Sequence, residues 1–265
     1  MMTDRNARPV VRPVVITRPL AQATPLAQRI SAAGREAIVF PLLEILPLLD
    51  QTHLREVLQG LGQYAMVAFV SPNAIDSAFA LLDSWPAHVT IAVVGEGSKA
   101  ALAKHGLTPS NADIVSPVDP HRTDSQTLLE VLDIESLRNK RVLIVRGETG
   151  RELLADALRE KGVQVETVAA YRRAAPALDA AGKAQLASLL DAECDWVITS
   201  SEALRILMQM VRDIAGDAGL LKMQKATLIV PHIRIAESAR ELGFCNLIQT
   251  GSGDDQLIAA LQFRA

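Results

Sequence analysis

The chain has 265 residues, 49% of them apolar and 22% charged, with a formal net charge of −3 from 27 Lys+Arg against 30 Asp+Glu. That balance describes a folded protein of one large or two small domains and excludes a mainly disordered chain. There is no basic excess for nucleic acid or an anionic membrane, and 3% aromatic residues are too few for the stacking platforms of single-strand binders.

Cys194 and Cys245 fit neither a metal-ligand spacing nor a disulfide framework and read as thiols in a reduced compartment. His53, His88, His105, His121 and His232 are scattered, with no HExxH-type cluster, so no metal is expected. Residues 1–12 are charged, contain Pro9 and lack the apolar stretch of a signal peptide. No run approaches the ~18 apolar residues of a membrane span. The expectation is a soluble cytoplasmic protein with no membrane or nucleic-acid partner.

From the N-terminus, residues 13–17 (PVVIT) read as a buried strand. Leu20, Ala23, Ala27 and Ile30 then recur at helical spacing up to a stop at Gly34. Residues 37–40 (AIVF) form the next strand, ended by Pro41. Further apolar runs follow at 65–70, 90–94, 141–145, 163–168, 196–199, 226–230 and 246–249. Continuous Val- and Ile-rich strands alternating with helices predict an α/β fold whose parallel sheets are covered on both faces.

The chain also repeats itself. Val15-Ile16-Thr17-Arg18 leads to Gly34 sixteen residues after the arginine, and Ile144-Val145-Arg146-Gly147 leads to Gly162 at the same distance. Phe69-Val70-Ser71-Pro72-Asn73-Ala74 parallels Ile198-Thr199-Ser200-Ser201-Glu202-Ala203. Ala92-Val93-Val94-Gly95, with its stop Gly106, parallels Leu228-Ile229-Val230-Pro231 with Gly243. Three units recur in the same order, their offset drifting as loop insertions would make it. Two similar parallel-sheet α/β lobes are predicted.

Ligands of such proteins sit beyond the carboxyl ends of the strands or between lobes. Those ends are Thr17-Arg18, Ser71-Pro72-Asn73, Gly95-Glu96-Gly97-Ser98, Arg146-Gly147-Glu148-Thr149-Gly150, Ser200-Ser201 and Pro231-His232-Ile233-Arg234. Each leads into a helix start, where unpaired N–H groups and the positive end of the dipole favour carboxylates or phosphates.

Most of these residues carry a second, plainer reading. Gly95-Glu96-Gly97-Ser98 lacks the third glycine of GxGxxG, and no GxxxxGK[ST] occurs, so a tight turn explains it better than a nucleotide loop. Ser71, Ser200 and Ser201 have no GxSxG elbow around them and read as helix caps, whose neighbouring N–H groups can still meet a ligand. Arg18 and Arg146 are either solvated strand-end arginines or guanidinium forks for carboxylates. Tyr171, in Ala169-Ala170-Tyr171-Arg172-Arg173 at a strand end, is either a packing residue or an acid–base group.

Taken in order, the motifs resemble the uroporphyrinogen-III synthase family of tetrapyrrole biosynthesis. They are Ile16-Thr17-Arg18-Pro19, Pro41-Leu42-Leu43-Glu44-Ile45, Phe69-Val70-Ser71-Pro72-Asn73-Ala74 and Ala92-Val93-Val94-Gly95. The series continues with Val145-Arg146-Gly147, Gly150-Arg151, Ala170-Tyr171-Arg172 and Ile198-Thr199-Ser200-Ser201. The resemblance runs from about Val14 to Leu261. It implies two α/β lobes joined by a two-stranded extended linker, the second lobe inserted in the first. Residues 1–43 and 174–265 would form the first domain and 46–170 the second, with connectors at 42–48 and 169–176.

The resemblance further implies an enzyme, a cyclising hydro-lyase without cofactor or metal. Its substrate would be hydroxymethylbilane, a linear tetrapyrrole with eight carboxylates, closed with loss of water and inversion of ring D to uroporphyrinogen III. Tyr171 would help protonate the departing hydroxyl, on the way to an azafulvene cation and a spiro intermediate. Thr17, Arg18, Ser71, Asn73, Gly95, Ser98, Arg146, Gly147, Ser200, Ser201, His232 and Arg234 would bind substrate, on a monomer.

The last strand–helix turn departs from the family. Its usual glycine and threonine are replaced by Pro231 and Ile235, leaving His232 or Arg234 to supply the polar contact, whereas Ser98 keeps a hydroxyl in the other lobe. A second function class, a non-catalytic two-lobed binder of a small polyanion, would keep the arginines and need no acid at Tyr171. A nucleotide-sugar transferase would need stronger glycine and basic signatures than these.

Overall fold

The computed structural model describes residues 12–117, 125–150, 152–251 and 253–262; residues 1–11, His121 and Arg151 lie outside the described residues. The first elements are β1 (Val14–Ile16), α1 (Leu20–Ala32), β2 (Ala37–Val39), β3 (Glu44–Leu46), α2 (Thr52–Gln59), β4 (Met66–Phe69) and α3 (Pro72–Phe79). β5 (Thr90–Val93), α4 (Glu96–Lys104), β6 (Ile114–Val115), α5 (Ser125–Val131), α6 (Ile134–Leu137), β7 (Arg141–Gly147), α7 (Leu153–Glu160) and β8 (Gln164–Ala174) follow. The chain continues through α8 (Ala180–Asp191), β9 (Asp195–Val197), α9 (Ser201–Met223), β10 (Thr227–Val230), α10 (Ile233–Glu241), β11 (Asn246–Gln249) and α11 (Asp254–Gln262).

Two compact units result: Met1–Glu44 with Ala175–Ala265, and Ile45–Ala174. The first is built on a five-stranded sheet in the order β2-β1-β9-β10-β11, every adjacent pair parallel. The second has the order β3-β8-β7-β4-β5-β6, and its β8·β7, β7·β4, β4·β5 and β5·β6 pairs are parallel. The repeat equates β1 with β7, β9 with β4 and β10 with β5. Laid on those equivalences, β2-β1-β9-β10-β11 and β8-β7-β4-β5-β6 are one sheet order drawn twice.

The units are nonetheless not the two sequence halves of the repeat. The arginine-bearing β1–α1–β2 segment joins the C-terminal strands, and its counterpart β7–α7–β8 joins β4, β5 and β6. Each unit is thus a circular permutation of the other. Gly34 and Gly162 close their helices at positive angles, φ 85° and 82°, as Gly106 and Gly243 do at 80° and 88°. A left-handed turn there is strained for a residue with a Cβ.

Period-two burial feeds two layers in each unit. In β4, Val67 and Phe69 pack under α2, α3 and α4, while Met66 and Ala68 pack against α5 and α7 on the opposite face. In the first unit β9 and the residue after it divide likewise, Trp196 and Ile198 toward α8, α9 and α10 and Val197 toward α1 and α11. At roughly 25 cal/mol per Å² of apolar area, such two-sided burial supplies most of the drive for these largely apolar strands.

Two features depart from the sequence pattern. The apolar run predicts an end to β8 at 168, but the strand continues unbroken to Ala174. A register shift between Arg146 and Gly147 lets the ladder continue, and Glu148 N–H donates to the Tyr171 carbonyl at 2.8 Å. The three-residue β3 falls within the extended connector expected at 42–48, whereas the two-residue β6 has no counterpart among the predicted strands.

The first unit also buries an ion pair, Arg35 Nη2 to Asp195 Oδ2 at 2.9 Å, both side chains at most 2% exposed. Arg35 donates in addition to the Leu261 carbonyl at 3.1 Å and to the Arg12 carbonyl. It fastens Arg12, just ahead of β1, and helix α11 to β9.

Candidate active site at the carboxyl end of the second unit

β4 and β7 are neighbours whose following helices leave on opposite faces, α3 to one and α7 to the other. Where adjacent strands part in this way their carboxyl ends frame a crevice, the usual ligand position in an open parallel sheet. Here it is a cavity of about 230 Å³ lined by Ser71 from the end of β4, Arg146 and Gly147 from β7, Thr149 and Gly150 beyond it, and Tyr171 and Arg173 from β8.

Tyr171 is only 5% exposed and packs in the apolar layer under α3. Its hydroxyl oxygen lies 3.1 Å from Ser71 Oγ. Ser71 is held in turn by its place as the N-cap of α3, where Oγ accepts the Ala74 N–H at 3.1 Å. Arg173 donates to Thr149 Oγ1 at 3.0 Å, closing the rim. Arg146 meets Glu152 Oε1 at 2.6 Å with its side chain 17% exposed. Glu152 stands immediately before α7 and is not among the residues the sequence singles out; an acidic residue placed after a strand-end arginine and just ahead of a helix was the available signal.

Ser71, Arg146, Gly147 and Tyr171 therefore meet around one cavity. Asn73, Gly95 and Ser98 do not line it. Asn73 lies in the first turn of α3, Gly95 is the N-cap of α4, and Ser98 is buried in the first turn of that helix.

The remaining residues belong to the first unit, at the carboxyl ends of its own strands. Thr17 is 1% exposed and donates to the Val197 carbonyl at 2.7 Å, tying β1 to β9. Arg18 pairs with Asp254 at 2.5 Å, so the two repeat-equivalent arginines share a second feature: each is met by a carboxylate at the start of a helix. Ser200 caps α9, accepting from the N–H groups of Glu202 and Ala203. Ser201 Oγ accepts from Ser238 at 3.0 Å. His232 is the N-cap of α10 and Arg234 is exposed on that helix. Ile235, at the family's threonine position, is buried in the core with Trp196 and Leu228. Its side chain is spent on packing.

Larger cavities lie elsewhere. One of about 350 Å³, lined by Cys194, Trp196 and Thr227, sits at the amino-terminal edge of the five-stranded sheet. That is the end of a parallel sheet away from its helix N-termini. Burial pushes the Cys194 thiol above its ordinary value, which suits a packed thiol and not a nucleophile. The other tyrosine, Tyr64, is also distant from the cavity. Its hydroxyl donates to Glu166 at 2.6 Å, and burial, then Glu166, raise it to about 12. Among the described residues no group of His, Cys, Asp or Glu side chains is placed to hold a metal ion, and no helix is long and apolar enough to cross a membrane.

Fold and site together define a two-unit parallel α/β protein with a buried tyrosine hydroxyl at the switch point of one sheet. The chain belongs to the uroporphyrinogen-III synthase family. The family described as Uroporphyrinogen-III synthase HemD matches residues 24–259. Uroporphyrinogen-III synthase from Salmonella typhimurium is 32% identical over 254 residues, covering 94% of this chain and 99% of that protein. The Escherichia coli protein of the same name is 31% identical over 254 residues with the same coverage. The crystal structure of uroporphyrinogen-III synthetase from Helicobacter pylori has a TM-score of 0.58 at 15% identity, covering 95% of this chain and 99% of that one. A mutant uroporphyrinogen III synthase from Thermus thermophilus gives 0.57 at 15% identity, covering 95% and 98%. At that identity the likeness speaks for the two-lobed α/β fold alone.

Proposed function

We propose that the chain is a uroporphyrinogen-III synthase, a lyase that converts hydroxymethylbilane to uroporphyrinogen III with loss of water and inversion of ring D. Family membership supports the reaction; the observation that carries the site is the Tyr171–Ser71 hydroxyl pair at 3.1 Å. Ser71 Oγ accepts from Ala74 N–H, and in this reading it gives its own proton to the Tyr171 oxygen. The phenolic proton then faces the cavity and passes to the departing hydroxyl, which leaves as water. The phenolate, stabilised by Ser71 O–H, is reprotonated when the closed ring loses its proton. The acid ends the cycle as it began.

A cavity of about 230 Å³ takes one arm of such a substrate, not the whole linear tetrapyrrole. Arg146 and Arg173 are assigned its carboxylates, Arg146 by exchanging Glu152 for the ligand. In the first unit Arg18, Ser200, Ser201, His232 and Arg234 are assigned others, through guanidinium groups and helix-start N–H groups. Much of the rate then comes from holding a flexible chain in the geometry that closes the inverted ring.

Freshly prepared hydroxymethylbilane supplied to the purified protein, with the oxidised products resolved by isomer, tests the proposal. Type III porphyrin is the expected product. Type I alone, as in the enzyme-free control, would refute it and leave a binder of polyanions.

A further inference from the structure

Gly147 occupies the last position of β7, in a run of Val142, Leu143, Ile144 and Val145 where a β-branched residue would stabilise the strand. Its φ lies outside the left-handed region, so the backbone conformation does not demand glycine. What demands it is space. Gly147 is the register partner of Tyr171 across the bulge. A Cβ built there would stand 3.0 Å from Tyr171 Cζ, 3.2 Å from Cε2 and 3.2 Å from the hydroxyl oxygen. Those are the atoms that carry the phenol's chemistry.

The ring is held on every side but the one that faces the cavity. Its carbonyl is pinned by Glu148 N–H at 2.8 Å, its hydroxyl is bonded to Ser71, and its body is buried. A methyl group at 147 would push the phenol sideways by a few tenths of an ångström and lengthen the bond to Ser71.

We infer that Gly147 is a positioning residue for the reaction: its missing side chain is the seat that fixes the Tyr171 hydroxyl against Ser71 and toward the cavity. This rests on the acid role proposed for Tyr171. It gives Gly147 a task different from contact with substrate, acting through the phenol.

The test is a cycle of Gly147→Ala and Tyr171→Phe, read as kcat and KM for type III product, which excludes the spontaneous type I background. With Tyr171 in place, Gly147→Ala is expected to lower kcat roughly three- to thirtyfold with KM within about twofold, since ~1 Å of misplacement can cost as much as ~10²-fold. In the Tyr171→Phe background there is no hydroxyl to misplace, and the same change is expected to add less than about twofold.

Equal losses in the two backgrounds, or no loss where Tyr171→Phe alone slows the enzyme, overturn the inference and leave the acid role standing. A Tyr171→Phe enzyme as fast as the parent overturns both. Should Gly147→Ala not fold, the pair Gly147→Ala/Tyr171→Ala decides. Recovery of the folded state when the ring is removed supports the seat; continued failure shows that the backbone itself requires glycine and overturns it.

Discussion

The hydroxyl groups of Ser71 and Tyr171, separated by 100 residues, approach to 3.1 Å. One ends a strand and caps a helix; the other lies inside an eleven-residue strand two places across the same sheet. Tyr171→Phe removes the hydroxyl proposed as proton donor and keeps the ring's packing. The variant is expected to stay folded, losing about 1 kcal/mol of stability with the hydrogen bond. Its type III turnover should fall by at least ~10-fold, at the low end of what an acid contributes where positioning supplies much of the rate. Steady-state kinetics with isomer analysis measures this.

Arg146 is expected to act in binding. Arg146→Ala should raise KM by roughly 10–150-fold, the equivalent of ~1.5–3 kcal/mol for a charge-assisted hydrogen bond, with a smaller effect on kcat. The parent KM should itself rise with added salt, because mobile ions screen the attraction between guanidinium and carboxylate. A salt series at fixed pH checks it.

Arg35 and Asp195 form the buried pair of the first unit. Arg35→Met leaves an uncompensated buried carboxylate and is expected to destabilise that unit by about 3–5 kcal/mol. Arg35→Met with Asp195→Leu removes both charges and should recover most of the loss. Urea denaturation of parent, single and double variants reads the difference.

Glu166 supplies a pH signature in the second unit. The Tyr64 hydroxyl first, then Arg141 at 2.9 Å, hold its carboxyl below the ordinary value. A depressed acid contributes stability that is fully present above the unfolded value near 4.5 and is lost as pH falls through the folded one. Tyr64 is raised, to about 12, so its contribution is present below the ordinary value of 10 and fades as pH climbs toward 12. Glu166→Gln should flatten the acid limb of the stability profile and lower the alkaline midpoint of Tyr64. Denaturant midpoints against pH, with tyrosinate absorbance, follow both.

The elements most legible in the sequence were those made by local chemistry. Apolar runs such as Val142 to Val145 have nowhere to go but the middle of a covered parallel sheet. Gly34 and Gly162 mark helix ends because their left-handed turns suit no other residue so well. Ser71 and Ser200 were recognisable as caps from the residue and the helix start that follows. Other features left almost no local trace. The full reach of β8 depends on a bulge in its neighbour, the three-residue β3 on a partner far along the chain, and the Arg35–Asp195 bond on a fold that brings together residues 160 positions apart.

By itself, then, the sequence determined the class of fold, the repeat and the identity of the strand-end residues, since hydrophobic period and turn chemistry act over a few residues at a time. The repeat left open which β-α-β segment joins which sheet, a division that only the family resemblance implied; the tertiary structure alone decided that the equivalent arginines are each met by a helix-start carboxylate and that Gly147 lies against Tyr171. Those are distances between residues remote in sequence, and they are set when whole layers pack, not by the preferences of either residue alone.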